Sequence, residues 1–302
     1  MKACPVCAAT GEDVIPILRV FGDKDHDIGI CEKCGAVFKV KPAASRSHDL
    51  SNVYTSNSWS VSEEYHQKRL NFVAKKSCEF ASFGPGDPVL DIGAGVGLLH
   101  DALAAVNPVG NYFALEPSAT CVEVLRSRFP DAELITDSLD TATLPEKHFK
   151  AVFVCGVDYL FDDVGQAFRK ISSALRDDGL LFVNRNVFID MMDTPSNSSN
   201  SAESLFAGNN PLLSNWFHSR HYVEFLSGMF DRVDLSILRL EEEKDGVKGR
   251  VRPSMTFVGR KAGGNVTLPI RNAKFASKNR KLIREMLATG KKSMLVETLS
   301  AL

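Results

Sequence analysis

The chain has 302 residues, of which 44% are hydrophobic and 24% charged, and its formal net charge is −1. That suits one full-sized domain with appendages and an ordinary core, and it leaves no bulk electrostatic footprint for nucleic acid or an anionic membrane. No apolar run approaches the roughly 20 residues of a membrane span. Met1-Lys2-Ala3-Cys4 also opens no signal-peptide core, so a cytoplasmic protein is expected.

Four of the seven cysteines form two Cys-x-x-Cys pairs, Cys4/Cys7 and Cys31/Cys34. Each pair is a tight knuckle that presents two sulfurs to one ion, and four thiolates close a tetrahedral, structural zinc site. A redox pair is the other chemistry open to this spacing. Residues 1–41 therefore read as a zinc-ribbon module. Its apolar runs, Val14 to Phe21 and Ile28 to Ile30, are too short to fold without the metal, which contributes on the order of 10 kcal/mol in small zinc modules. Charges around the knuckles are mixed, with no basic stripe interleaved with aromatics, which argues against nucleic acid. Cys78, Cys121 and Cys155 are scattered and suit apolar filling.

Residues 42–86 read as a linker and lid helix. Positions 41–60 are rich in Ser and Asn, a linker composition, but Tyr54 and Trp59 inside them suggest packing over a neighbouring surface. Ser60-Val61-Ser62-Glu63 has capping-box spacing, and the helix it opens runs through Tyr65, Arg69, Leu70, Phe72, Val73 and Phe80 to Gly84-Pro85-Gly86.

From Pro88 onward strand and helix patterns alternate, predicting a largely parallel sheet covered by helices, an α/β fold. Pro88 to Ile92 is an apolar run carrying an acid, Asp91. Gly93, Gly95 and Gly97 follow at alternate positions, and a helix begins at Leu98. Strand, turn and helix form the first half of a βαβ unit. Here glycine supplies backbone angles that a Cβ forbids, and the amides opening the helix favour an anionic group. Asn111 to Leu115 is the second strand. It delivers Glu116 about 20 residues past the glycines, where an acid can grip ribose hydroxyls. A helix from Ala119 to Phe129, a strand from Ala132 to Ile135 and a strand from Ala151 to Cys155 come next. Gly156-Val157-Asp158-Tyr159 then lies at a strand's carboxyl end, where open α/β sheets bind ligands.

A helix over Val164–Leu175, a turn at Arg176-Asp177-Asp178-Gly179 and a strand over Leu180–Val183 lead to Asn184-Arg185-Asn186. Residues 190–210 are polar and long enough to be a mobile lid. Trp216 to Tyr222 opens another helix. His218 and His221 share a face of it if both are helical, as a metal pair or, more blandly, as surface histidines. Two more strands, over Arg232–Leu240 and Ser254–Arg260, close the domain. Residues 263–302 are basic, and Leu282, Ile283, Met286 and Leu287 mark an amphipathic helix whose apolar face needs cover. That cover is its own domain, a second subunit making a homo-oligomer, or an anionic surface.

With Asp91, the three glycines and Glu116 in place, the chain resembles the class I S-adenosylmethionine-dependent methyltransferases. Their signature is an acid-x-Gly-x-Gly-x-Gly loop followed by an acid after the second strand. The resemblance implies a Rossmann-like, seven-stranded sheet over 87–262, ended by an antiparallel hairpin. It places the cofactor on Asp91, Gly93, Gly95, Gly97, Glu116 and Pro117, with Asp137 and Ser138 at the adenine and with Cys155 and Tyr65 also touching it. By residue type alone, Asp137 is equally a turn former and Tyr65 a packing residue. Many relatives carry an acid and then a histidine where this chain has Asp158 and Tyr159, so a histidine-driven deprotonation is not expected here. The candidates near the methyl path are Asp158, Tyr159 and His218. A tyrosine with the ordinary pKa near 10 is a poor base at neutral pH.

The order of zinc ribbon, aromatic linker and methyltransferase core is similar to that of methyltransferases of sugar and surface-polysaccharide biosynthesis. It implies a small-molecule acceptor, a sugar or glycan-precursor hydroxyl or carbon. Two other readings stand: an RNA or protein methyltransferase docked through the ribbon and basic tail, and a non-catalytic scaffold that kept the fold.

Overall fold

The computed structural model describes residues 63–107, 109–161, 163–185, 215–216, 219–244 and 247–262. It also describes 3–4, 7, 9–10, 14–16, 28–33 and 36–39 in the N-terminal region, and the isolated positions 281, 285 and 288. The 41–60 linker, the 190–210 segment, Cys34, His218 and almost all of the C-terminal tail lie outside these residues.

Apolar runs of five to seven residues with helices between them can be buried only as a parallel sheet covered on both faces. The strands β4 (Pro88–Ile92), β5 (Asn111–Leu115), β6 (Glu133–Ile135), β7 (Phe149–Cys155) and β8 (Leu175–Arg185) pair in parallel. A hairpin of β10 (Phe230–Lys244) and β11 (Val247–Lys261) joins antiparallel to β8, so the seven-stranded order is β10-β11-β8-β7-β4-β5-β6. This is the predicted sheet, closed by the predicted hairpin.

Helices α1 (Glu63–Phe80), α2 (Leu98–Val106), α3 (Ala119–Arg128), α4 (Val164–Ala174) and α5 (Ser219–Ser227) cover it. One face packs Val73, Ala74, Val89, Leu103, Phe153 and Phe182 beneath α1 and α2. The other packs Leu90, Ile92, Val154 and Val183 against Phe168, Tyr222 and Phe225. Alternation along each strand sends successive side chains to opposite faces, which separates Val89 and Asp91 from Leu90 and Ile92.

Two local expectations need correction. The turn expected at Arg176–Gly179 is an irregularity inside a longer strand: pairing steps from Phe149↔Leu175 to Ala151↔Leu180. Trp216 does not open a helix. Asn215–Trp216 form a short strand, β9, that pairs antiparallel with β3 (Val37–Lys39), and α5 starts at Ser219.

In the N-terminal region, β1 (Val14–Pro16), β2 (Ile28–Cys31), β3 (Val37–Lys39) and β9 make a second, four-stranded antiparallel sheet. Cys4, Cys7, Ala9, Val14, Cys31 and Ala36 belong to the same buried cluster as Leu90, Phe149 and Tyr222. The cysteine region is therefore continuous with the core of the large sheet.

Candidate functional site

The candidate residues gather at the tips of the parallel strands. At the end of β4, Gly93, Gly95 and Gly97 adopt φ of +69°, +56° and +87°, a region closed to most side chains. A Cβ on Gly97 would stand 2.2 Å from the Phe129 ring, and one on Gly93 would stand 2.5 Å from Val157. The loop thus exposes main chain and is pressed on both sides by neighbours. Arg128 of α3 fixes it further, donating to the Val96 carbonyl at 2.6 Å and pairing with Asp101 at 2.6 Å.

Glu116 follows β5 and is almost fully buried. Its carboxylate accepts from the Gly95 amide and from the Ser118 amide, both at 2.8 Å. Burial pushes its pKa up, and these two amides pull it back. Pro117 precedes Ser118, whose hydroxyl accepts from the Cys121 amide at the start of α3. One acid therefore ties the glycine loop to the first turn of the next helix. Its position at the second strand tip is the one an acid needs to meet a ribose.

Asp91 is buried on the α1 side of β4, where the Tyr112 hydroxyl donates to its Oδ2 at 2.7 Å. Burial raises its pKa to about 7 despite that hydrogen bond, and the negative Glu116 adds to the rise. Burial raises the Cys155 thiol too; Asp91 pushes it further and Arg69 pulls it down. The Cys155 thiol is therefore a poor nucleophile, suited to lining a site.

Asp137 is exposed just past β6, and Ser138 begins a turn in which its carbonyl accepts from the Thr141 and Ala142 amides. Both sit at the third strand tip, where the resemblance places them. Tyr65 is buried on α1, one turn before Arg69.

Asp158 and Tyr159 open a short 3-10 turn (Asp158–Leu160) after β7. Asp158 is wholly buried, ion-paired with Arg185 at the end of β8, and accepts from the Tyr222 hydroxyl of α5 through the same Oδ2. Its Oδ1 has no hydrogen-bond partner among the described residues. The Arg185 guanidinium also lies 5.0 Å from the Tyr222 ring and 5.8 Å from the Tyr159 ring, within cation–π range. Burial pushes Tyr159 up to about 12, which removes it as a base at neutral pH. Behind the cluster, Asn184 donates to Thr256 at 2.8 Å and accepts from Ser254 at 3.0 Å, locking β8 to β11.

Residue-by-residue reading of the sequence did not assign Arg69, Arg185 or Tyr222 to the site. Arg185 had a usable signal, a charge placed directly after the buried run Leu180–Val183. Arg69 interrupts the apolar face of its helix. Tyr222 had none, because its partner lies 64 residues away.

At the N-terminal end, the sulfurs of Cys4, Cys7 and Cys31 are buried within 4.8 Å of one another, and Cys7 and Cys31 are 3.6 Å apart. The two knuckles close alike. The Cys4 amide donates to the Ala9 carbonyl at 2.8 Å and the Cys31 amide to the Ala36 carbonyl at 2.9 Å. A soft, buried thiolate set of this kind fits a metal ion such as zinc. Sheet β1-β2-β3-β9 reaches the Asp158–Leu160 turn through β9, which lies against it.

Residues 90–183, from β4 to β8, match the family described as a methyltransferase domain. Among solved structures, the fold is similar to a chain of the complex between the Haloferax volcanii Trm112 methyltransferase activator and a methyltransferase. There the TM-score is 0.54 at 15% identity, over 72% of this chain and 97% of that one. It is also similar to the MccD protein, with TM-score 0.51 at 9% identity over 63% of this chain and 96% of that one. The cyclase SpnF gives TM-score 0.50 at 14% identity, over 70% and 86%. At these identities the likeness is one of fold. No curated protein matches the chain.

Proposed function

We propose that this chain, an S-adenosylmethionine-dependent methyltransferase by its domain and fold, methylates a small-molecule acceptor, a sugar or glycan-precursor hydroxyl or carbon. The observation that carries the cofactor site is Glu116, buried at the second strand tip and held by the Gly95 and Ser118 amides beside three glycines in positive φ. Glu116 takes the ribose hydroxyls, the glycine loop meets the amino-acid end, and Pro117, Asp137 and Ser138 border the adenine. The bound cofactor supplies an electrophilic methyl on a sulfonium. Aligning two bound reactants contributes on the order of 7–11 kcal/mol of the barrier, so the protein's main task is position.

What supports a small acceptor is the wall on the acceptor side. The cysteine region shares the core of the large sheet, and β9 places that region's sheet against the Asp158 turn. A net charge of −1 gives a phosphate backbone no general attraction. Cys4, Cys7 and Cys31, with Cys34 as fourth ligand, hold a structural zinc ion that stabilises this wall. Asp158, bound by Arg185 and Tyr222, orients the acceptor through its remaining oxygen, and His218 stands as the alternative base.

The test is mass spectrometry of acceptor panels incubated with protein and cofactor. A methyl gained by a sugar nucleotide or glycan precursor, with none on RNA or protein, supports the reading; exclusive methylation of RNA or protein overturns it.

A further inference from the structure

A single ammonium fastens the loop beyond the third strand tip. Lys170, on α4, donates to the carbonyl oxygens of Leu139 at 2.6 Å, Asp140 at 3.1 Å and Ala142 at 2.9 Å. A lysine head carries three donors and no acceptor, so main chain takes up all of them. The carbonyls lie 28 to 31 residues earlier in the chain, in the segment that follows β6.

That segment has no ladder to hold it, because sheet pairing ends at Ile135. Within it, the Ser138 carbonyl accepts from the Thr141 amide at 3.1 Å and the Ala142 amide at 2.8 Å, closing one tight turn. Leu139 and Ala142 are buried in the core shared with Val164, Phe168 and Ile171 of α4. Apolar packing therefore pins the turn at two points. The carbonyls between and at those points would each cost free energy if buried without a donor, and Lys170 meets three of them. The Ser138 and Thr141 hydroxyls lie 3.1 Å apart, so a turn that slackens carries Ser138 with it, and Asp137 is the residue before.

We infer that Lys170 is a positioning residue for the adenine end of the cofactor. By gathering the Leu139, Asp140 and Ala142 carbonyls it fixes the backbone from which Asp137 and Ser138 meet the base. This rests on the cofactor site proposed above. Lys170 acts through the loop, since its donors are already engaged, and it has no part in the methyl transfer itself.

The experiment is calorimetric titration of the full chain with S-adenosylhomocysteine and with S-inosylhomocysteine, in which an oxo group replaces the amino group of the base. One charge-assisted hydrogen bond to that amino group corresponds to roughly 10-fold in affinity or more. The wild type should prefer the adenine ligand by about that factor. Lys170→Met should lose most of the preference while its affinity for the inosine ligand stays near that of the wild type, and Lys170→Arg should restore part of it. A Lys170→Met variant that keeps the full preference overturns the assignment. So does one that weakens both ligands equally, which would make the lysine a support of the whole fold. Hydrogen exchange of the wild type is the companion measurement: S-adenosylhomocysteine should slow exchange over 137–142 more than S-inosylhomocysteine does. Equal exchange with both ligands overturns the assignment even if every Lys170 variant misfolds. A wild type that binds neither ligand brings down the cofactor site itself, and the assignment with it.

Discussion

Asp158 and Arg185 meet from the ends of two neighbouring parallel strands, and neither side chain is reached by solvent. A charge pair in such a place is a poor source of net stability, yet removing one partner leaves the other charge stranded. Asp158→Ala should therefore destabilise the protein by on the order of 3–5 kcal/mol, read as a lower urea midpoint at unchanged slope. Wild-type stability in Asp158→Ala would contradict this reading of the buried pair.

Asp91 predicts a specific pH dependence. Its carboxyl rises from its ordinary value of 3.8 to about 7 in the folded state, because burial disfavours the charged form. The folded state therefore holds this proton more tightly than the unfolded chain. The contribution is fully present below pH 4 and is lost as pH climbs through 7. At about 1.4 kcal/mol per pH unit, the span is on the order of 4 kcal/mol. The stability of the wild type relative to Asp91→Asn, measured by urea unfolding from pH 4 to 8.5, should fall with rising pH. A flat difference would mean that Asp91 stays charged throughout.

Two glycines should respond to alanine with opposite signs. Gly97 has φ +87° and Phe129 where its Cβ would go, so Gly97→Ala should cost about 1–3 kcal/mol of strain and weaken cofactor binding. Gly86 has open space and no such backbone angle, so Gly86→Ala should stabilise by about 0.4–1 kcal/mol. Thermal melts of the two variants with and without S-adenosylhomocysteine check both signs.

How much of this was legible in the sequence depends on how far apart the interacting residues lie. The glycine loop and Glu116 were readable because strand, turn and helix are local, and the acid follows at a fixed interval. The two strands of the β10–β11 hairpin were readable as separate runs, and their pairing came from the family resemblance. Trp216 was misread because its aromatic neighbours look helical, while the pairing that makes it a strand comes from β3, far away in the chain. The Asp158–Arg185–Tyr222 cluster was visible only as an acid in a turn, since its partners arrive from 27 and 64 residues on. Nothing periodic marks such contacts. Arg69 was read as part of a helix, and burial alone shows that its charge faces inward.

Metal analysis tests the cysteine region. About one zinc per chain is expected if the fourth thiolate joins Cys4, Cys7 and Cys31. Because these cysteines share the core of the large sheet, Cys31→Ser or a strong chelator should lower the melting temperature of the whole protein. A metal-free protein with unchanged melting would contradict the site.

The most direct measurement is a crystal structure of the full chain with S-adenosylhomocysteine. The ribose hydroxyls should lie within hydrogen-bond distance of the Glu116 carboxylate, with the amino-acid end on the Gly93–Gly97 main chain. A ligand bound elsewhere, or a Glu116 that makes no contact with the sugar, would contradict the account.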